Sequence, residues 1–228
     1  MKIKNNYYKD NKVYNNKKII IKEYFKEIKN FISKQKKIVS LCDVGCASGD
    51  FVNFIKEKNI NVIGIDKSPK LLKHAKQKNP DLKFYRYDLK KNINLKKKYD
   101  IVTCLGTMTI FDNWKLPLKN LFKLCKKNGV IILYDPLNIY NVDTIIRFKN
   151  SKNWLSGFNL FSKKTIKKYI KEINKKSVIR FERFNPKLIL KKNKDSMRAW
   201  SVKINNSRRI MVGTSQILDF HIIKIKNV

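Results

Sequence analysis

Histidine, glycine, proline and acid are all scarce in this 228-residue chain, which has 2 His, 7 Gly, 5 Pro and 17 Asp plus Glu. Two histidines and four cysteines (Cys42, Cys46, Cys104 and Cys125), with no C-x-x-C pair and no zinc-finger spacing, supply no metal ligand set. The thiols therefore read as buried and free in a reducing compartment. No apolar run approaches the roughly 20 residues of a membrane-spanning helix. The opening Met1-Lys2-Ile3-Lys4-Asn5-Asn6 lacks the apolar stretch of a signal peptide, so the expected location is cytoplasmic. No Pro/Gly/Ser-rich stretch marks a linker.

The shortage of acid has a counterpart. Lys plus Arg number 53, for a formal charge of +36, a field that attracts RNA, anionic membrane surfaces and phosphorylated metabolites. AT-rich codon usage would raise Lys, Asn and Ile together, but it would raise Glu too, so it does not explain the missing acids. Only seven of the basic residues are Arg, and six lie beyond residue 140: Arg147, Arg180, Arg183, Arg198, Arg208 and Arg209. A planar guanidinium suits carboxylate and phosphate, which hints at an anion site in the C-terminal third.

What remains is ordinary globular composition, 43% hydrophobic and 31% charged, at a length that suits one α/β domain. Ile20, Ile21, Tyr24, Phe25, Ile28, Phe31 and Ile32 make one apolar stripe, predicting a helix over about Lys18 to Ser33. Residues 1–35 are thus expected to be a helical extension packing on a single domain over 36–228. Within that domain, 36–136 would be the cofactor half and 137–228 the substrate side.

Strand-like runs follow at Ile38 to Val44, Asn61 to Ile65, Leu82 to Tyr87, Tyr99 to Leu105 and Val130 to Tyr134, separated by helix-length segments. Ser68-Pro69 predicts a capped helix start, and Asn128-Gly129 a left-handed stop to a helix over Leu116 to Lys127. This alternation specifies a mostly parallel sheet with helices on both faces. From Leu137 to Leu160 the pattern reads as loop or short helices, and Ser162 caps a helix to about Ile173. Strand-like segments at Val178 to Phe184, Ala199 to Ile204, Arg209 to Val212 and His221 to Ile225 predict the last strands with a β-hairpin inserted between them.

The first strand ends in Asp43-Val44-Gly45-Cys46-Ala47-Ser48-Gly49. Small residues at alternate positions let the backbone turn sharply and approach a ligand, ahead of a helix N-terminus with free N–H groups. Such a loop belongs at the ligand-binding edge of an open sheet. The dinucleotide pattern G-x-G-x-x-G would place its third glycine at Asp50, and Asp43 would meet a pyrophosphate as a like charge. An acid there suits a ligand with a cationic amino-acid end.

The loop resembles motif I of the class I S-adenosylmethionine-dependent methyltransferases, acidic-x-G-x-G-x-G, with Ala47 at the middle glycine. The Gly64-Ile65-Asp66 end of strand two, Tyr87-Asp88-Leu89, the strand Tyr99 to Gly106 and the turn Leu124 to Gly129 are similar to the later family motifs. The resemblance covers about residues 36 to 136. It implies a Rossmann-like, seven-stranded sheet, S-adenosyl-L-methionine as cofactor, and a site built from Asp43, Gly45, Cys46, Ala47, Gly49, Asp66, Lys67, Asp88, Leu89, Leu105 and Gly106. Asp66 would accept from the ribose hydroxyls and Asp88 from the adenine amino group. Two departures stand out. Thr109 and Ile110 occupy the place of an acid–histidine pair found in many small-molecule members. The N/D-P-P-Y/F signature of base amino-group methylation is absent, Asp135-Pro136 being a different motif.

The expected reaction is methyl transfer to a small or carrier-linked, anionic metabolite, such as a sugar in surface-polysaccharide assembly. RNA is the alternative acceptor, and a non-catalytic cofactor-binding or scaffold protein a third reading. His221 is the candidate base, while His74 reads as a helix-surface residue. Arg198, Trp200, Arg208 and Arg209 are the candidate substrate contacts, pairing an apolar plane with anion-reading forks. Acceptor atom and oligomeric state are left open.

Overall fold

The computed structural model describes residues 22–35, 37–57, 59–150, 153–192 and 199–228. Arg198 and residues 1–21, including the first turn of the expected N-terminal helix, lie outside them. Among the described residues no helix is long and apolar enough to cross a membrane.

The five expected strands form as β1 (Ser40–Val44), β2 (Asn61–Asp66), β3 (Lys83–Arg86), β4 (Tyr99–Leu105) and β5 (Cys125–Asn138). They pair in parallel in the order β3-β2-β1-β4-β5. All five residues of β1 are buried, as a central strand covered on both faces requires. β12 (Ile217–Lys226) runs antiparallel to β5, and β9 (Val178–Arg183) antiparallel to β12. These seven strands make the expected sheet. The hairpin of β10 (Trp200–Ile204) and β11 (Ser207–Met211) is inserted before β12 and pairs with its first residues.

Helices cover both faces. α1 (Glu23–Ser33), α2 (Asp50–Ile55) and α3 (Pro69–Lys78) bury Tyr24, Phe25, Ile28, Phe51, Val52, Ile55, Leu72 and Ala75 on one side. α4 (Lys115–Leu124) and α5 (Lys163–Ile173) bury Leu118, Leu121, Ile166 and Ile170 on the other. Each such aliphatic or aromatic side chain withdrawn from water contributes about 1.5–3 kcal/mol. Ser68 and Ser162 cap α3 and α5 as expected, their hydroxyls accepting from the N–H groups of Leu71 at 3.3 Å and Thr165 at 3.2 Å.

Two local expectations fail. α4 stops at Leu124 rather than Lys127, because Cys125 already pairs with Tyr99 and the Asn227 amide donates to the carbonyls of Cys125 and Lys126 at 3.3 and 3.0 Å. Asn128 does take the left-handed conformation, at φ 61°, but within the entry to β5. The stretch expected as loop or short helices carries an antiparallel hairpin, β6 (Arg147–Asn150) and β7 (Asn153–Ser156), and a short β8 (Phe161–Ser162) parallel to β5.

Candidate active site

The carboxyl ends of β1, β2 and β4 open into a cleft. Ten of the eleven residues expected around the cofactor line it: Asp43, Gly45, Cys46, Ala47, Asp66, Lys67, Asp88, Leu89, Leu105 and Gly106. Gly49 stands just behind, at φ 77° on the N-cap of α2, with Phe84 and Asn79 filling the space a side chain would need.

The loop after β1 is a chain of left-handed turns. Gly45, Ala47 and Gly49 sit at φ 78°, 47° and 77°, and the N–H groups of Gly45 and Cys46 both donate to the Ile65 carbonyl, at 2.7 and 3.0 Å. A Cβ at Gly45 would strike the Thr107 side chain, so glycine here is required by sterics as well as by conformation.

Asp66 accepts from the N–H of Ala47 at 3.0 Å through Oδ2 and from Ser68 at 2.8 Å through Oδ1. An ionised carboxylate has about four acceptor sites, so these backbone bonds aim the group and leave it acceptor capacity for a ligand. Burial raises its pKa, and the backbone N–H groups of Ser68, Ala47 and Lys67, together with the Lys67 charge, oppose that rise. Asp43, only 3% exposed, accepts from the Thr103 hydroxyl at 2.7 Å. Its pKa is raised to about 7, first by burial and then by Asp66, against the Thr103 bond and Lys22. Asp88 lies at the rim and accepts from the Lys90 N–H at 2.9 Å.

The remaining wall was not legible in the motif. α1 brings Lys22, Tyr24 and Phe25 to the cleft, where the Tyr24 ring stacks on Tyr134 at 3.7 Å between centroids. Thr107, Ile110 and Phe111 come from the segment after β4, and Ser156 from β7. Asp135, fully buried in β5, accepts from the N–H groups of Met108 and Thr109 at 3.0 and 3.3 Å and so holds that segment in place. Burial raises its pKa well above the usual carboxylate value, against the pull of those two backbone donors.

The Ser156 hydroxyl donates to Asp112 Oδ1 at 3.1 Å and accepts from Arg147 Nη1 at 2.8 Å, while Arg147 also pairs with Asp112 at 2.6 Å. Asn159, wholly buried, donates to Phe111 O and Asp112 at 3.0 Å and accepts from Ile146 at 2.8 Å. Only a hydrophobic strand pattern with a fixed register could have predicted these contacts, and this stretch alternates too weakly for that.

The candidate base and substrate contacts lie elsewhere. His221 is 2% exposed within β12, its Nδ1 2.9 Å from the Asp219 carbonyl, and burial lowers its pKa; it is not among the residues lining the cleft. Trp200, Arg208 and Arg209 stand on the β10–β11 hairpin, also off the lining. Trp200 carries the Lys192 ammonium 5.2 Å from its ring, and Arg208 donates to the Lys187 carbonyl.

A family profile described as a methyltransferase domain matches residues 17–176, more than half of the chain. The chain belongs to the class I S-adenosylmethionine-dependent methyltransferases. A protein of Invertebrate iridescent virus 6, named as a methyltransferase, is 31% identical over 123 residues, 52% of this chain and 46% of its own length. Malonyl-[acyl-carrier protein] O-methyltransferase 1 of Ilyobacter polytropus is 25% identical over 171 residues, 73% of this chain and 62% of its own. The match thus spans about half to three-fifths of these relatives' length. The fold is shared with a SAM-bound amino pentose methyltransferase from Micromonospora echinaspora, at a TM-score of 0.58 and 12% identity over 90% of this chain and 91% of that one. For a class I methyltransferase, the glycine loop and Asp66 sit where the fold places its ligand edge.

Proposed function

We propose that this chain transfers the methyl group of S-adenosylmethionine to a small or carrier-linked metabolite. The observation that carries the reading is a single cleft with two unlike walls. One wall has the left-handed glycine loop, Asp66 and Asp88; the other is mostly apolar, with Tyr24, Phe25, Ile110 and Phe111 beside the hydroxyls of Thr107 and Ser156. The donor set fits the cofactor. Asp66 keeps acceptor sites for a ribose diol, Leu71 and Leu89 offer an apolar bed for adenine, and Asp43 sets a carboxyl beside a cationic end.

When bound, S-adenosylmethionine supplies a methyl carbon already activated by its sulfonium for in-line displacement. The residues of this chain have to align the acceptor, exclude water and fix orientation. Tyr24 and Phe25 close the cleft from α1, and the stack of Tyr24 on Tyr134 keeps that lid rigid. Ser156, with one donor and one acceptor site committed to Asp112 and Arg147, retains a lone pair for an acceptor O–H or N–H. That makes Ser156 a positioning residue on the acceptor side.

The named activities of the acyl-carrier relative and the amino pentose neighbour support a carrier-linked or sugar acceptor. The test has two stages. Calorimetry with S-adenosylhomocysteine should show binding that Asp66→Ala abolishes. Radiolabelled S-adenosylmethionine should then label a malonyl-carrier or nucleotide-sugar panel rather than total RNA. No binding at all would sink the reading, and label confined to RNA would replace its acceptor.

A further inference from the structure

Loop 139–146, between β5 and β6, holds Ile139, Tyr140 and Val142 at 56%, 71% and 60% exposure, with Ile145 at 43%. The loop is braced along its length. Asn138 accepts from the Tyr140 N–H at 3.0 Å, and its amide donates to Thr144 Oγ1 at 3.3 Å. Thr144 and Leu160 exchange backbone bonds of 2.8 and 2.9 Å, and the Ile146 N–H reaches Asn159 at 2.8 Å. Four apolar side chains on a loop this well tied face water by construction. An apolar patch so presented marks an interaction surface.

Its neighbour is a helix dominated by one charge. The Asp143 carboxylate, from the middle of the loop, accepts from the Ser162 N–H and the Thr165 hydroxyl, both at 2.7 Å, and so docks the loop on the start of α5. α5 exposes Lys164, Lys167, Lys168 and Lys171, and α4 beside it exposes Lys119 and Lys123. Glu172 is the one acid in the two helices, and it pairs with Lys115 at 3.0 Å. Like charges three and four residues apart on a helix repel, which an anionic partner would relieve. AT-rich codon usage enriches Lys, but it does not set four exposed apolar side chains on a braced loop beside nearly acid-free helices.

We propose that this face docks on an anionic lipid bilayer. Ile139, Tyr140, Val142 and Ile145 enter the headgroup boundary, and the α5 lysines meet the anionic headgroups. A nucleic acid would use the lysines and gain nothing from the aliphatic loop; a bilayer uses both, and the tyrosine suits its interface. Ser156, on the hairpin that follows the loop, lines the cleft, so docking brings the acceptor side of the cleft close to the membrane. The proposal holds whatever the acceptor is.

The test is co-sedimentation of the full chain with vesicles of phosphatidylcholine alone, or of phosphatidylcholine and phosphatidylglycerol in equal parts. Binding is expected only to the anionic vesicles. It should weaken by about tenfold in I139N/V142N and similarly in K164E/K168E, as loss of either of two cooperating signals predicts. Unchanged S-adenosylhomocysteine binding and melting temperature show that these surface variants fold. Three results would overturn the proposal: no vesicle binding by the wild-type chain, equal binding by I139N/V142N, or a dimer in sedimentation that the same variant dissolves.

Discussion

At the floor of the cleft the Thr103 hydroxyl donates a 2.7 Å hydrogen bond to the buried carboxyl of Asp43, tying β4 to β1 beneath the glycine loop. With its pKa raised to about 7, Asp43 binds a proton in the folded state that the unfolded chain has already lost. Because the folded form holds more protons between about pH 4 and 7, stability falls as pH rises through that window. Asp43→Asn keeps the Thr103 contact without the charge. It should be more stable than the parent at about pH 8, by on the order of 1–3 kcal/mol, with a flatter dependence in chemical denaturation. Under the proposed cofactor reading, the same variant should bind S-adenosylhomocysteine more weakly, because Asp43 would no longer offer a carboxylate to the ligand's cationic end.

Gly45→Ala should lose most ligand affinity. Its φ of 78° costs an L-residue about 1–2 kcal/mol, and the new methyl meets Thr107. Pairing it with Thr107→Ala removes the clash but leaves the conformational strain, so calorimetry should show partial recovery. Full recovery would mean that sterics alone make glycine necessary.

Asp66→Asn should weaken S-adenosylhomocysteine binding by about 10²-fold, the loss expected when charged acceptors become a neutral amide in a buried site. The amide nitrogen would also face a backbone donor, Ala47 or Ser68. An affinity within a factor of two of the parent would remove Asp66 from the cofactor site.

Asn159→Ala should destabilise more than Arg147→Ala. Asn159 is fully buried and joins the Phe111–Asp112 segment to Ile146, so its loss leaves unpaired groups at about 1–3 kcal/mol each. The Arg147–Asp112 pair is partly exposed and should be worth no more than about 1 kcal/mol. Both should loosen the hairpin at Ser156, seen as faster proteolysis between residues 144 and 160.

The glycine-loop side of the cleft was readable because each signal is local. Asp43 to Gly49 needs its small residues within one turn, Asp66 ends β2, and Asp88 follows β3 by two residues. The opposite side of the cleft was not. Asp135 was read as one half of an unmatched dipeptide, yet it holds the backbone of Met108 and Thr109 from 26 or 27 residues away. Ser156 gains meaning only through Asp112 and Arg147, at separations of 44 and 9 residues. His221 and Trp200 looked suitable by type, but which way a strand side chain points depends on pairing register, and a shift of one residue reverses it.

From residue order alone came the alternation of strands and helices, the parallel sheet with its C-terminal hairpin, and the glycine loop with its two following carboxylates. These depend on hydrophobic period, turn chemistry and steric limits that act over a few neighbours. Tertiary structure alone decided that α1 lines the cleft with Tyr24 and Phe25, that the β6–β7 hairpin brings Ser156 to it, and that Asp143 ties the aliphatic loop to the start of α5. Each of those outcomes rests on contacts between distant segments, whose partners are chosen by packing and hydrogen-bond satisfaction across the whole chain.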